Sequence, residues 1–171
     1  MAKHIFQLKE KAWTFKDTYE IKDRDGAVIF RIKGKVFSMS NTFKFQNIQE
    51  RNLLEIKKKR FSFKPKYKIL RAGKTIATIE KKWSTWKSKF KVDIPGPNDY
   101  IIEGKFWKRE YDFLRKGKKV ASVSKKFWSW SDTYGVEIDE EEDVQLILAT
   151  VVTIDLFLKD LEQEGQAEVD E

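Results

Sequence analysis

Residues 144–158 read Val-Gln-Leu-Ile-Leu-Ala-Thr-Val-Val-Thr-Ile-Asp-Leu-Phe-Leu, and the fold turns on what this stretch must be. Placed on a helix of 3.6 residues per turn, its apolar side chains point in nearly every direction. A helix that is apolar all round either spans a bilayer or lies buried in protein. Fifteen residues reach about 22 Å at roughly 1.5 Å each, short of the ~20 residues that a bilayer requires. Burial is therefore expected, with Asp155 read most simply as sitting hydrated at the mouth of whatever encloses the helix, a buried and partnered carboxylate being the alternative. Upstream, Asp139 followed by Glu142 resembles a capping box, and the acids of 139–143 suit the positive end of a helix dipole. The helix is accordingly expected from Asp139 to about Asp160, followed by a flexible acidic tail over 161–171.

The rest of the chain supplies the enclosure. Shifted by 44 residues, Tyr67–Ile94 lies on Tyr111–Ile138 without a gap, pairing Gly73 with Gly117, Ile76 with Val120, Ile79 with Val123 and Phe90 with Tyr134. A more divergent copy comes first, with Gly26, Ile29, Ile32 and Phe43 falling on Gly73, Ile76, Ile79 and Phe90 at a shift of 47. Such self-similarity marks a unit copied three times. Within each copy apolar and polar residues alternate (Phe90, Val92 and Ile94 between Lys89, Lys91 and Asp93), which is the period of a half-buried strand. Gly26, Gly73 and Gly117 stand midway between such runs, where a hairpin needs positive φ. A further strand pair precedes each run, giving four strands per unit and about twelve in all. About eight strands close a barrel that side chains alone can fill, so about twelve leave a lumen. The 22 Å helix matches the height of strands six to eight residues long. The expected fold is a mainly β, closed antiparallel barrel of about 12 strands around a buried C-terminal helix, one domain over residues 1–160.

Composition agrees. The chain has 171 residues, 40% of them hydrophobic and 14% aromatic, enough for one sizeable core. It contains no cysteine, so disulfides, thiolate catalysis and cysteine-based zinc sites are excluded. The start, Met1-Ala2-Lys3-His4-Ile5-Phe6, lacks the apolar run of a signal peptide, and a cytoplasmic location, peripheral at the membrane, is the expectation. The net charge of +8 attracts anions, and because the chain's last third is acidic, the strands before it are more basic still.

A tyrosine, a turn glycine and an apolar residue three positions beyond it recur over Tyr19–Ile29, Tyr67–Ile76 and Tyr111–Val120. Together with the 144–158 helix, these units resemble the LURP-one-related family, of tubby C-terminal-like fold and related to the phospholipid scramblases. The resemblance covers about Ile5 to Leu158. It implies the barrel around its helix, no catalytic residues and no cofactor; tubby domains bind phosphoinositide headgroups through basic barrel residues, but none of those residues can be matched here one by one.

The candidate anion-binding residues are Lys57, Lys58, Lys59 and Arg60, then Lys81, Lys82 and Lys87, then Lys125 and Lys126. The competing explanation is plain: the outside of a barrel must be polar, and lysine also discourages edge pairing. Trp86 and Trp128, beside the lysine pairs, are candidates for a membrane interface or for stacking on bases, or else pack in the wall. Spacing within Phe127-Trp128-Ser129-Trp130 cannot put every ring on one face, so Trp128 is expected outside. His4, the one histidine, has no partner at a ligand spacing, which leaves no serine-type triad and no metal site. The acidic run 139–143 lacks the spacing of a calcium loop. The function expected is a non-enzymatic module that recognises anionic phospholipid or a phosphorylated headgroup. Nucleic-acid binding, or a scaffold docking a partner protein in stress or defence, are the alternatives. The decisive question is whether the lysines converge on one face.

Overall fold

The computed structural model describes residues 2–10, 17–34, 42–59, 64–82, 88–125 and 133–165. Alternation carries the chain through twelve strands among these residues. The first unit holds β1 (Lys3–Glu10), β2 (Asp17–Lys22), β3 (Val28–Lys33) and β4 (Thr42–Asn47). The second holds β5 (Asn52–Lys59), β6 (Lys66–Arg71), β7 (Lys74–Lys82) and β8 (Lys89–Asp93). The third holds β9 (Tyr100–Lys105), β10 (Glu110–Arg115), β11 (Lys118–Ser124) and β12 (Thr133–Asp139). Each strand pairs antiparallel with the next and β12 pairs back onto β1, so the sheet closes into a barrel with no free edge.

The repeat is visible in the register. Tyr19, Tyr67 and Tyr111 face Ile32, Ile79 and Val123 respectively across the β2–β3, β6–β7 and β10–β11 hairpins. All three hairpins also slip at the same place, leaving Ile29, Ile76 and Val120 as the extra residue of a bulge. A bulge bends a strand and sharpens its twist, which curvature into a barrel requires. Two of the turns are two-residue turns with positive φ at both positions, Ala72 (49°) with Gly73 (77°) and Lys116 (50°) with Gly117 (78°). Such turns follow the twist of the strands that they join.

The helix α1 (Val144–Gln163) threads the lumen. Ile147, Leu148, Val151, Val152 and Ile154 are fully buried, against inward residues such as Phe45, Ile56, Phe113 and Val136. Phe157 sits between Tyr67 and Phe90, ring centroids 4.7 and 5.1 Å away. Thr150 and Thr153, also fully buried, donate their hydroxyls to the helix's own carbonyls at Leu146 and Ala149, both at 2.8 Å. No helix among the described residues is long and apolar enough to cross a membrane.

Both helix boundaries differ from the sequence expectation. The start falls at Val144, not Asp139, and the cap is Asp143, whose carboxylate accepts from the Leu146 N–H at 3.0 Å. The alternation of β12 explains this: Ile138 still points into the core, so Asp139 stays in the sheet opposite Lys3. At the far end the helix continues to Gln163, because Leu161 is still inside the barrel, 3% exposed. The part of the expected tail from 161 to 163 is therefore helix, and 166–171 lie outside the described residues.

Candidate functional site

Two polar regions stand out, one inside the barrel and one on its wall. The inner one seats the helix. Where α1 enters, Arg71 holds Asp143 with two hydrogen bonds (2.9 and 3.2 Å), and Arg115, its counterpart in the third unit, holds Glu142. Tyr100 completes that end, accepting from Arg115 at 2.6 Å and donating to Glu142 at 2.5 Å. Burial and the adjacent carboxylate push the Tyr100 phenol above its ordinary value.

Where α1 leaves, the repeated tyrosines turn their hydroxyls toward it. Tyr67 donates to Asp160 at 2.7 Å, and Lys58 pairs with the same carboxylate at 2.8 Å. Lys159 reaches the Tyr19 hydroxyl at 3.4 Å and lies over its ring. Asp155 is 2% exposed, accepts from Tyr134 at 2.6 Å and faces Arg109 Nε at 3.5 Å, with the guanidinium stacked over the Tyr134 ring. This corrects the hydrated Asp155 expected from sequence: the β9–β10 turn brings it a cation, Arg109, and β12 a phenol, Tyr134. The Tyr111 hydroxyl, buried nearby, has no hydrogen-bond partner. Apart from that hydroxyl and Arg115 Nε, the groups named at the two ends pair mainly with one another, and their geometry is that of a latch.

The outer wall is where the candidate lysines must act, and the pleat divides them. Lys57 and Lys59 project outward from β5, whereas Lys58 between them points in, to Asp160. Likewise Lys82 is exposed, but Lys81 follows Ala77 and Ile79 onto the inner face and is 7% exposed, which removes it from the outer site. Lys125 occupies the repeat position of Lys81 just beyond β11, half-buried, with its N–H donating to Glu110 at 3.1 Å. The strands β7 and β11 are four apart in a ring of twelve, a third of the circumference. Lys82 and Lys125 therefore stand on separate parts of the barrel. Arg60, Lys87, Lys126, Trp86 and Trp128 lie outside the described residues, so the structure describes neither candidate tryptophan.

What does share one face is three of the candidates, Lys57, Lys59 and Lys82, together with lysines from the strands beside them. Across β5–β6, Lys57 stands opposite Lys68 and Lys59 opposite Lys66; across β7–β8, Lys82 stands opposite Lys89. With Lys91, seven lysines share the outer face of the second unit with three carboxylates, Glu55, Glu80 and Asp93. Opposed like charges destabilise a sheet. Glu55 pairs with Lys57 at 2.8 Å, Glu80 with both Lys66 and Lys82, and Glu103 of β9 with Lys89. Lys59 and Lys68 are exposed and, among the described residues, pair with no carboxylate. The signal was present in the sequence as single lysines at every second position, Lys66 and Lys68 included, but only strand register sets them face to face.

Among the described residues no group of three or more acidic or histidine side chains is placed to hold a metal ion. A family model described as LURP-one-related matches residues 4–155. The chain belongs to the LURP-one-related family. No curated protein matches it. An X-ray structure of a protein from Arabidopsis thaliana is similar to this LURP-one-related chain over 90% of each, with a TM-score of 0.68 and 15% identity, a likeness of fold.

Proposed function

We propose that this LURP-one-related protein is a non-catalytic module that binds anionic phospholipid or a phosphorylated headgroup on the wall formed by β5–β8. The observation that supports it is the set of directly opposed lysine pairs, 57–68, 59–66 and 82–89, on one face. A sheet gains nothing in stability from facing ammoniums, and an anion placed over them relieves the repulsion. Near an anionic bilayer each lysine contributes about 1 kcal/mol, so the wall holds the protein there reversibly.

The test is co-sedimentation with vesicles rich in acidic lipid. Binding is expected at low salt, falling steeply as salt screens the surface charges, and weakened in a Lys59→Gln/Lys68→Gln variant. Absence of binding to strongly anionic vesicles at low salt would sink the proposal. Tight binding to single-stranded DNA or RNA with a steep salt slope, without vesicle binding, would favour nucleic acid instead.

A further inference from the structure

One group on the basic wall works against the rest. Glu80, on the outer face of β7 two residues from its end, divides its carboxylate between two ammoniums: Oε2 lies 3.0 Å from Lys66 Nζ and Oε1 bonds Lys82 Nζ. Among the described residues, each lysine has this one carboxylate as its partner. The two cations therefore already straddle a single anionic group, which is how they would meet a bound one. Both hydrogen bonds hold the Glu80 carboxyl below its ordinary value, so it is charged at neutral pH.

The arrangement is peculiar to the second unit. At the shift of 44, Lys66 becomes Glu110 and Glu80 becomes Ser124, whose hydroxyl donates to that glutamate at 3.0 Å. At the shift of 47 back, Glu80 becomes Lys33, which pairs with Glu50 at 2.8 Å. Among the described residues, neither place puts a carboxylate where Glu80 stands, so the clamp is not imposed by the scaffold.

We infer that Glu80 is a resident competitor that makes the β5–β8 wall select phosphomonoesters over phosphodiesters. This rests on the anion-binding reading above and adds to it a ligand class. A phosphodiester carries one negative charge; taking the place of Glu80 exchanges one charge for one and leaves the displaced carboxylate near the bound anion. A phosphomonoester carries about −1.5 to −2 at neutral pH with three strong acceptor oxygens. It can bridge Lys66 and Lys82 with charge to spare, while the uncommitted Lys59 and Lys68 draw it to the wall. The shared chemistry is the phosphomonoester, and we commit to the bilayer as its source, since a barrel wall presents a broad face to a surface.

The experiment compares vesicles of phosphatidylcholine doped with phosphatidate, a monoester, or phosphatidylglycerol, a diester, at matched surface charge. The unmodified chain is expected to prefer phosphatidate by about fivefold, the factor set by roughly one lysine's worth of attraction. In Glu80→Gln, which keeps the size of the side chain, binding to phosphatidylglycerol rises by a similar factor and the preference collapses toward one. An unchanged urea midpoint at high salt verifies that the variant is folded. If the unmodified chain binds neither vesicle, the anion-binding wall itself is wrong. If it binds both and Glu80→Gln leaves their ratio unchanged, the wall stands and the role given to Glu80 is overturned. If free glycerol 3-phosphate binds as tightly as the phosphatidate vesicle, the bilayer is overturned as the source.

Discussion

The second and third units are the same inside and opposite outside. Inside, Tyr67 matches Tyr111, Ile79 matches Val123 and Phe90 matches Tyr134, all buried against one helix. Outside, the lattice point where Lys57 faces Lys68 in the second unit is the point where Glu103 faces Asp112 in the third. A repeated interior is what a shared core demands, since each unit must offer the helix the same depth of apolar packing. Nothing requires the exterior to repeat, and there the copies have diverged. The wall of the second unit is basic while the third carries Glu103, Glu110, Asp112 and Glu137. Chemistry that differs between copies of one scaffold is where a function has room to arise.

The comparison breaks most completely if the shared interior fails. Val151 is fully buried in mid-helix, and Val151→Asp places a carboxylate there with no partner, at a cost of several kcal/mol. Loss of the cooperative unfolding transition is expected by circular dichroism, and a folded barrel in that variant would overturn the account of the helix as its core. Alkali is the next probe. Burial, together with Asp160 for Tyr67, Glu142 for Tyr100 and Asp155 for Tyr111 and Tyr134, pushes these four phenols above the usual range. A raised value in the folded state means stability is whole below about pH 10, where the unfolded phenol is still neutral. Above it the unfolded chain ionises first, and stability falls by about 1.4 kcal/mol per pH unit for each tyrosine. Urea midpoints between pH 9 and 11, in roughly half-unit steps, should drop accordingly. Three of the four phenols belong to the third unit, so Tyr→Phe changes there should flatten the slope more than Tyr67→Phe does.

Smaller and sharper is the contrast between two tyrosines at one repeat position. Tyr67 donates to Asp160 at 2.7 Å, while the Tyr111 hydroxyl is buried without a partner. Removing a satisfied hydroxyl beside a carboxylate costs about 1.5–3 kcal/mol, whereas removing an unsatisfied buried one recovers a desolvation penalty. Tyr67→Phe should therefore lower the urea midpoint and Tyr111→Phe hold or raise it. Equal losses in both would mean that the interior copies are less different than their hydrogen bonds suggest.

How far the sequence reveals this molecule follows the same divide. The interior was legible because strand alternation and the turn glycines are local, and because an all-round apolar helix needs an enclosure. The extra bulge residues Ile29, Ile76 and Val120 were legible as repeats but not as bulges, since a bulge exists only relative to its partner strand. Asp155 was misread for a similar reason: nothing near it in sequence announces Arg109 or Tyr134. The placing of the outer lysines was legible only in part. Runs such as Lys57-Lys58-Lys59 and Lys81-Lys82 look like clusters, but the pleat sends neighbours to opposite faces, Lys58 and Lys81 inward. The real cluster is assembled across strands, from residues 11 apart at Lys57 and Lys68 and 7 apart at Lys59 and Lys66 and at Lys82 and Lys89.

That cross-strand lattice supplies the finest test. Lys68 has no carboxylate partner among the described residues and opposes Lys57; Asp112 opposes Glu103, although Lys119 lies 3.6 Å from it. Lys68→Glu and Asp112→Lys each turn an opposed like pair into an opposite one, worth about 0.2–1 kcal/mol. Both should raise the urea midpoint slightly at low salt, Lys68→Glu more, because Asp112→Lys also sets a new cation beside Lys119. Both gains should shrink as salt screens exposed charges. In vesicle binding the two part company: Lys68→Glu removes a cation from the basic wall and installs an anion, while Asp112→Lys alters a face that takes no part. Similar effects on stability with opposite or unequal effects on binding would separate what the lattice does for the fold from what it does for a ligand. Equal weakening of binding by both would return the positive charge of this barrel to a diffuse, whole-surface property.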